Sequence, residues 1–103
     1  MQLHPLKLVT VVGETVIMQD IADEGLKLGA TGYTISEVNG HGSRSARNVA
    51  STTGARTTKV EFVVPGDVAE KILTHVSHDY FEHYAVIAWL SDVQVVRGQQ
   101  YVR

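Results

Sequence analysis

The chain has 103 residues, is 44% hydrophobic and 19% charged, and carries a formal net charge of −2 with no cysteine. That length allows a single domain over 1–103 with a modest core. The mild acidity excludes non-specific nucleic-acid binding by the whole surface, and the missing cysteine excludes disulfides, thiol catalysis and thiolate metal ligands.

Leu6–Val12 (LKLVTVV) is β-branched and bounded by Pro5 and Gly13, which predicts a strand. From about Thr15 to Leu28, Ile17, Ile21 and Leu28 recur at helical spacing, supported by Val16, Met18 and Ala22. Gly29 is placed to end that helix as a C-terminal cap, and Gly25 weakens it near the same end. Gly32–Val38 (GYTISEV) alternates Tyr33, Ile35 and Glu37 against Thr34, Ser36 and Val38, a second strand. A long loop, expected to be mobile over about 40–57, separates it from a third strand, Thr58–Val64, with Val60, Phe62 and Val64 on one side.

Pro65-Gly66-Asp67 then punctuates the chain, and Asp67 with Glu70 has capping-box spacing. The helix that follows buries Val68, Ile72, Val76 and Tyr80. Ala85–Leu90 (AVIAWL) is continuously apolar, which predicts a central strand buried on both faces with Trp89 in the core. Val93–Val96 is expected as a last short strand closed by Arg97-Gly98. No apolar run approaches a membrane span, and MQLHPLKLVTVVG does not read as a secretory leader, so the expected compartment is the cytoplasm.

Strand–helix–strand repeated once predicts an α+β, ferredoxin-like βαββαβ sandwich, an antiparallel sheet with two helices on one face. The helix-free face needs cover, and self-association through the sheet supplies it.

Residues 38–60 hold Arg44, Arg47, Arg56 and Lys59 and no acid, a segment of formal charge +4 on a body of formal charge −6. Glycine N–H groups, hydroxyls and guanidiniums interleave there, the donors that suit a phosphate or another small oxyanion. A solvated linker has the same composition. Gly40-x-Gly42 follows a strand but no helix follows it, so it is a poor dinucleotide signal; no G-x-x-x-x-G-K-[ST] loop or G-x-S-x-G elbow is present. His75, Asp79 and His83 could share a helix face as metal ligands, with His78 beside them. The reading favoured here is a polar helix face with histidines at the favourable end of the dipole.

Gly32–Arg44, GYTISEVNGHGSR, resembles the second strand and loop start of PII signalling proteins, whose pattern is close to G-x-T-x-T-E-V-x-G-x-G. Gly32, Thr34, Glu37, Val38, Gly40 and Gly42 match it, with Ser36 for the second threonine. GHGSRSAR and the tail YFEHYAVIAWLSDVQVV look most like the PII-like proteins of inorganic-carbon uptake, the SbtB type and the carboxysome-associated group.

The resemblance implies a homotrimeric regulator, not an enzyme, that binds an adenine nucleotide between subunits and grips or releases a bicarbonate transporter or carboxysome partner through its loop. By position, Thr34 would hold the adenine edge, and Gly40 and Gly42 would admit ribose and phosphate. Ser43, Arg44 and Arg47 would contact phosphate, and His41 reads equally as ligand contact or solvated side chain. The neighbouring subunit would offer the Tyr84-Ala85-Val86 turn, with Arg97 a further candidate. Bicarbonate is a planar anion that a guanidinium holds bidentately.

The family's longer members carry a GDGK turn before the penultimate strand. Here Glu82-His83-Tyr84-Ala85 stands there without lysine, which shifts the expected ligand from triphosphate to AMP, ADP or cyclic AMP. Without a loop tyrosine or a C-terminal cysteine pair, nucleotidylylation and redox control do not carry over.

Three other classes share this element order. A CutA-like trimeric metal-binding protein would use His75, His78 and His83. An RNA-binding module is disfavoured because TTKVEFVV lacks spaced aromatics. An acylphosphatase-like enzyme would need an early arginine and phosphate cradle that VTVVGETV lacks.

Overall fold

The computed structural model describes residues 1–40 and 56–96. Its elements are β1 (Leu3–Glu14), α1 (Thr15–Lys27), β2 (Thr34–Val38), β3 (Thr57–Val64), α2 (Gly66–Tyr80) and β4 (Val86–Val96). The four strands form one antiparallel sheet in the order β2-β3-β1-β4. This is the ferredoxin-like βαββαβ arrangement that the element order predicts. Among the described residues, no helix is long and apolar enough to cross a membrane.

Alternation decides what lies beneath the helices. Opposed residues share a face, so the pairs Val9↔Phe62 and Val11↔Val60 put four fully buried side chains under α1 and α2. Ile17, Met18, Ile21 and Ala22 of α1 and Val68, Ala69, Ile72 and Val76 of α2 meet them. Val16, counted with the buried stripe from sequence, instead faces out at 76% exposure. It is one residue off the stripe, about 100° around the helix.

Gly25 has a packing reason that its helix propensity conceals. A Cβ there would overlap the Phe62 ring at Cε1 and Cζ, so only glycine lets α1 lie this close to β3. Gly29 ends α1 as expected: its φ is +124°, its N–H donates to Leu26 O at 3.2 Å, and Ala30 N–H reaches Gly25 O at 3.0 Å. Those two bonds close a Schellman motif.

Several boundaries differ from the sequence reading. β1 starts at Leu3 and contains Pro5, which is tolerated because β3 ends opposite Lys7 and leaves Pro5 a strand neighbour only in β4. β2 begins at Thr34 rather than Gly32, and Thr57, assigned to the loop, belongs to β3. Residues 41–55 of the loop lie outside the described residues, as do Arg97 and Gly98. Asp67 and Glu70 form no capping box: α2 starts at Gly66, its N-cap is Pro65, and no side chain caps it. Asp67 lies inside the first turn, where the helix dipole still favours its charge.

The largest correction concerns the C-terminal apolar run. Ala85–Leu90 and Val93–Val96 are not a central strand and a separate short one. All of them but Ala85 belong to a single edge strand, paired with β1 without interruption from Leu3↔Val96 to Gly13↔Val86. Ser91 and Asp92 mimic a break, but they pair with Leu8 and Lys7, and an ion pair joins Asp92 to Lys7. Trp89 is therefore not core. It sits opposite Thr10 on the helix-free face and is 45% exposed, with Ile87 beside it at 44%.

Replacing Gly25 by alanine should destabilise the fold by about 1–3 kcal/mol, the usual cost of overpacking, despite a helix-propensity gain of up to about 1 kcal/mol. Urea unfolding measures it, and Phe62→Leu in the same background should restore part of the loss.

Candidate functional site

A cleft of about 410 Å³ opens on the helix-free face where the chain enters β2. Ligand pockets span roughly 300–1,000 Å³, so it is of a size for a small molecule. Leu8 and Val63, paired across β1 and β3, give it apolar walls. Thr34 and Glu61, paired across β2 and β3, give it a polar edge. Thr10 Oγ1 donates to Glu61 Oε2 at 3.4 Å, and Lys59 Nζ lies 3.8 Å from Oε1. A Cβ on Gly32 would meet nothing within 4 Å, so the backbone there borders open space. Tyr33 packs against the core, and its hydroxyl accepts from Gln19 Nε2 at 3.0 Å.

A second group of candidates gathers at the end of the sheet where the basic loop is rooted. Arg56 and Glu37 form an ion pair there, and its hydrogen bond and charge raise the guanidinium's affinity for its proton. Arg56 O accepts from Thr15 N–H at 3.1 Å, and the hydroxyls of Thr15 and Thr58 meet at 2.6 Å. At the same end, Tyr80 O accepts from Tyr84 N–H at 3.0 Å and from His83 N–H at 3.3 Å. The Tyr80 and Tyr84 rings pack with centroids 5.8 Å apart. Ala85 N–H donates to Glu14 Oε2 at 2.9 Å.

Of the candidates named from sequence, Thr34 lines the cleft, while Tyr84 and Ala85 form the turn and Val86 is already the first residue of β4. Gly40 is exposed just beyond β2. His41, Gly42, Ser43, Arg44, Arg47 and Arg97 lie outside the described residues. Thr34 and Val86 occupy opposite edges of the sheet, three strand spacings of roughly 4.8 Å apart. Within one chain, therefore, these two groups of candidates do not share a pocket. Sequence reading missed Leu8, Glu61 and Val63. The signal was available in β3, because assigning Val60, Phe62 and Val64 to the core leaves Glu61 and Val63 on the other face.

Hydrogen bonds and close charge contacts tie the histidine cluster to α1 and to its own helix. α2 ends at Tyr80, so His83 leaves the helical face that His75 and Asp79 share. His75 Nε2 donates to Glu24 Oε1 of α1 at 2.5 Å, and its Nδ1 is 3.5 Å from Asp79 Oδ2. His78 Nδ1 donates to Asp79 Oδ1 at 2.8 Å, which with the histidine charges holds the Asp79 carboxyl below the usual range. Tyr80 OH donates to both Glu24 oxygens, at 2.8 and 2.9 Å. The cluster is thus a brace between the helices. Among the described residues, no three His, Asp or Glu side chains gather around a metal position.

A model of the Nitrogen regulatory protein P-II family matches residues 6–100. The chain belongs to the P-II family. It is 41% identical to a PII-like signalling protein from Thermus thermophilus, with 99% of this chain and 100% of that one covered at a TM-score of 0.84. It also shares its fold with CPII from Thiomonas intermedia. The CPII structure bound to ADP, AMP and acetate is 22% identical, with 98% of each chain covered and a TM-score of 0.83. The one bound to ADP and bicarbonate is 23% identical, with 97% of each covered and a TM-score of 0.80. A trimeric assembly is consistent with membership of the P-II family.

The brace makes a pH prediction. Burial, then the hydrogen bond and charge of Glu24, push the Tyr80 hydroxyl above the ordinary tyrosine range. A group whose affinity for protons rises on folding contributes stability that is intact below its unfolded pKa, about 10 for tyrosine, and lost as pH climbs beyond it. Tyr80→Phe should therefore flatten the alkaline fall in stability, and ultraviolet titration of the folded protein should lose its latest-ionising tyrosine.

Proposed function

We propose that this P-II protein is a regulator of the inorganic-carbon group, of the SbtB or carboxysome-associated type, and not an enzyme. It acts as a cytoplasmic homotrimer that binds AMP or ADP between subunits, with cyclic AMP as the third candidate and bicarbonate as co-ligand. The loop over about 40–57 reports ligand occupancy to a membrane bicarbonate transporter or carboxysome partner.

The observation that carries the nucleotide reading is the cleft at the entry to β2. Leu8 and Val63 supply apolar surface for the flat rings of a base. Thr34 and Glu61 supply a hydroxyl and a carboxylate at one edge, and a carboxylate accepts from the exocyclic amino group of adenine. The cleft opens on the helix-free face, the one a neighbouring subunit would cover, and the turn at Tyr84 and Ala85 of that neighbour would close it. The phosphates would then meet Ser43, Arg44 and Arg47 past Gly40, His41 and Gly42, with Arg97 a further contact. CPII, with the same fold, has been seen with ADP, AMP and bicarbonate, which supports this ligand class.

Calorimetric titration with AMP, ADP, ATP and cyclic AMP, with and without bicarbonate, tests the reading. AMP or ADP should bind more tightly than ATP. Arg47→Ala and Glu61→Ala should each weaken binding by about 1.5–3 kcal/mol, the range for losing a charge-assisted hydrogen bond. His78→Ala should leave affinity unchanged. Zinc binding abolished by His78→Ala, with no nucleotide bound, would overturn the proposal. Sedimentation equilibrium should return about three chains per particle, and a stable monomer would leave each cleft without its second wall.

A further inference from the structure

Glu14 stands where β1 becomes α1, at the N-cap position of that helix, and its side chain does not cap it. The carboxylate reaches instead across to Ala85, whose N–H it accepts at 2.9 Å. The β1–β4 ladder ends one residue earlier, at Gly13↔Val86. If the pairing ran on, Ala85 would lie opposite Glu14. The side chain therefore supplies the acceptor at the point where the two strands part. Gly13 leaves the approach open: a Cβ there would come to 3.0 Å from Val86 Cβ and 3.2 Å from Ala85 O.

Glu14 and its neighbour Thr15 also hold the root of the basic loop. Glu14 is paired with Thr57 in β3, and Thr15 donates its N–H to Arg56 O at 3.1 Å and meets the Thr58 hydroxyl at 2.6 Å. The turn at Tyr84 and the loop root thus hang from adjacent residues of one junction.

We infer that Glu14 is a positioning residue of the nucleotide site, fixing the Tyr84-Ala85 turn against the loop root through the Ala85 N–H. This rests on the nucleotide reading above. Glu14 touches no ligand; its part is to hold the turn in the conformation that closes the cleft. The geometry requires an acceptor oxygen there and does not require its charge. An amide oxygen in the same place does the same work.

The test compares Glu14→Gln and Glu14→Ala in the assembled protein, by calorimetric titration with ADP and AMP and by amide exchange at Ala85. Glu14→Gln should bind within about twofold of the wild type, while Glu14→Ala, with unchanged circular dichroism and assembly state, should bind about tenfold more weakly, as for one lost hydrogen bond. Exchange at Ala85 should quicken in Glu14→Ala alone. A folded Glu14→Ala that binds like the wild type overturns the inference. So does a Glu14→Gln as weak as Glu14→Ala, because the charge rather than the hydrogen bond would then matter. If the wild type binds neither nucleotide, the functional reading itself falls and takes this inference with it, a result seen before any variant is made.

Discussion

A sheet has two faces, and two helices cover one. Most of what is distinctive in this molecule follows from that constraint. The covered face is settled by the contact between Phe62 and the bare backbone at Gly25, which brings α1 down onto β3 and closes the core. The other face keeps Ile87 and Trp89 half exposed beside Leu8 and Val63. An apolar surface of this kind marks an interaction site. The cleft with Thr34 and Glu61 opens on that same face, so under the proposed function assembly and ligand binding draw on one surface.

The order of strands has a second effect. With β2 and β4 at opposite edges, the residues at the entry to β2 and those in the turn before β4 cannot meet within a chain. A binding site that uses both must be shared between copies. At the sheet end the loop root and the Tyr84 turn come together instead, held by Glu14 and Thr15.

The sequence made the fold legible because each core element carries its own period. Val60, Phe62 and Val64 alternate, Val68, Ile72 and Val76 recur by four, and Gly29 ends α1 with the φ that only glycine adopts easily. β4 was misread for a physical reason: a strand apolar on both sides looks the same whether a sheet or another subunit buries it. The reason for Gly25 was not legible, because propensity sees a weak helix former and cannot see the ring across the gap. Thr34, which lines the cleft, was named from its motif. Leu8, Glu61 and Val63 join it only through strand register, a pairing over long sequence separation that no local pattern announces. The histidine spacing left a metal site open as the disfavoured alternative to a polar helix face; the helix stops at Tyr80, and the partner Glu24 comes from another element that no local spacing reveals.

The edge strand β4 has a cost that falls on the newly made chain. Until a partner arrives, it presents Trp89, Leu90 and Val96 beside unpaired backbone groups, the features by which strands recruit unrelated chains. Its edge is blunted by little besides Asp92, Gln94 and Ser91. Where three copies cover that surface, the folded state is favoured by mass action and its thermal midpoint rises with protein concentration. Dilution would then act on this protein as a mild denaturant, and its cellular abundance would set how firmly each subunit is folded.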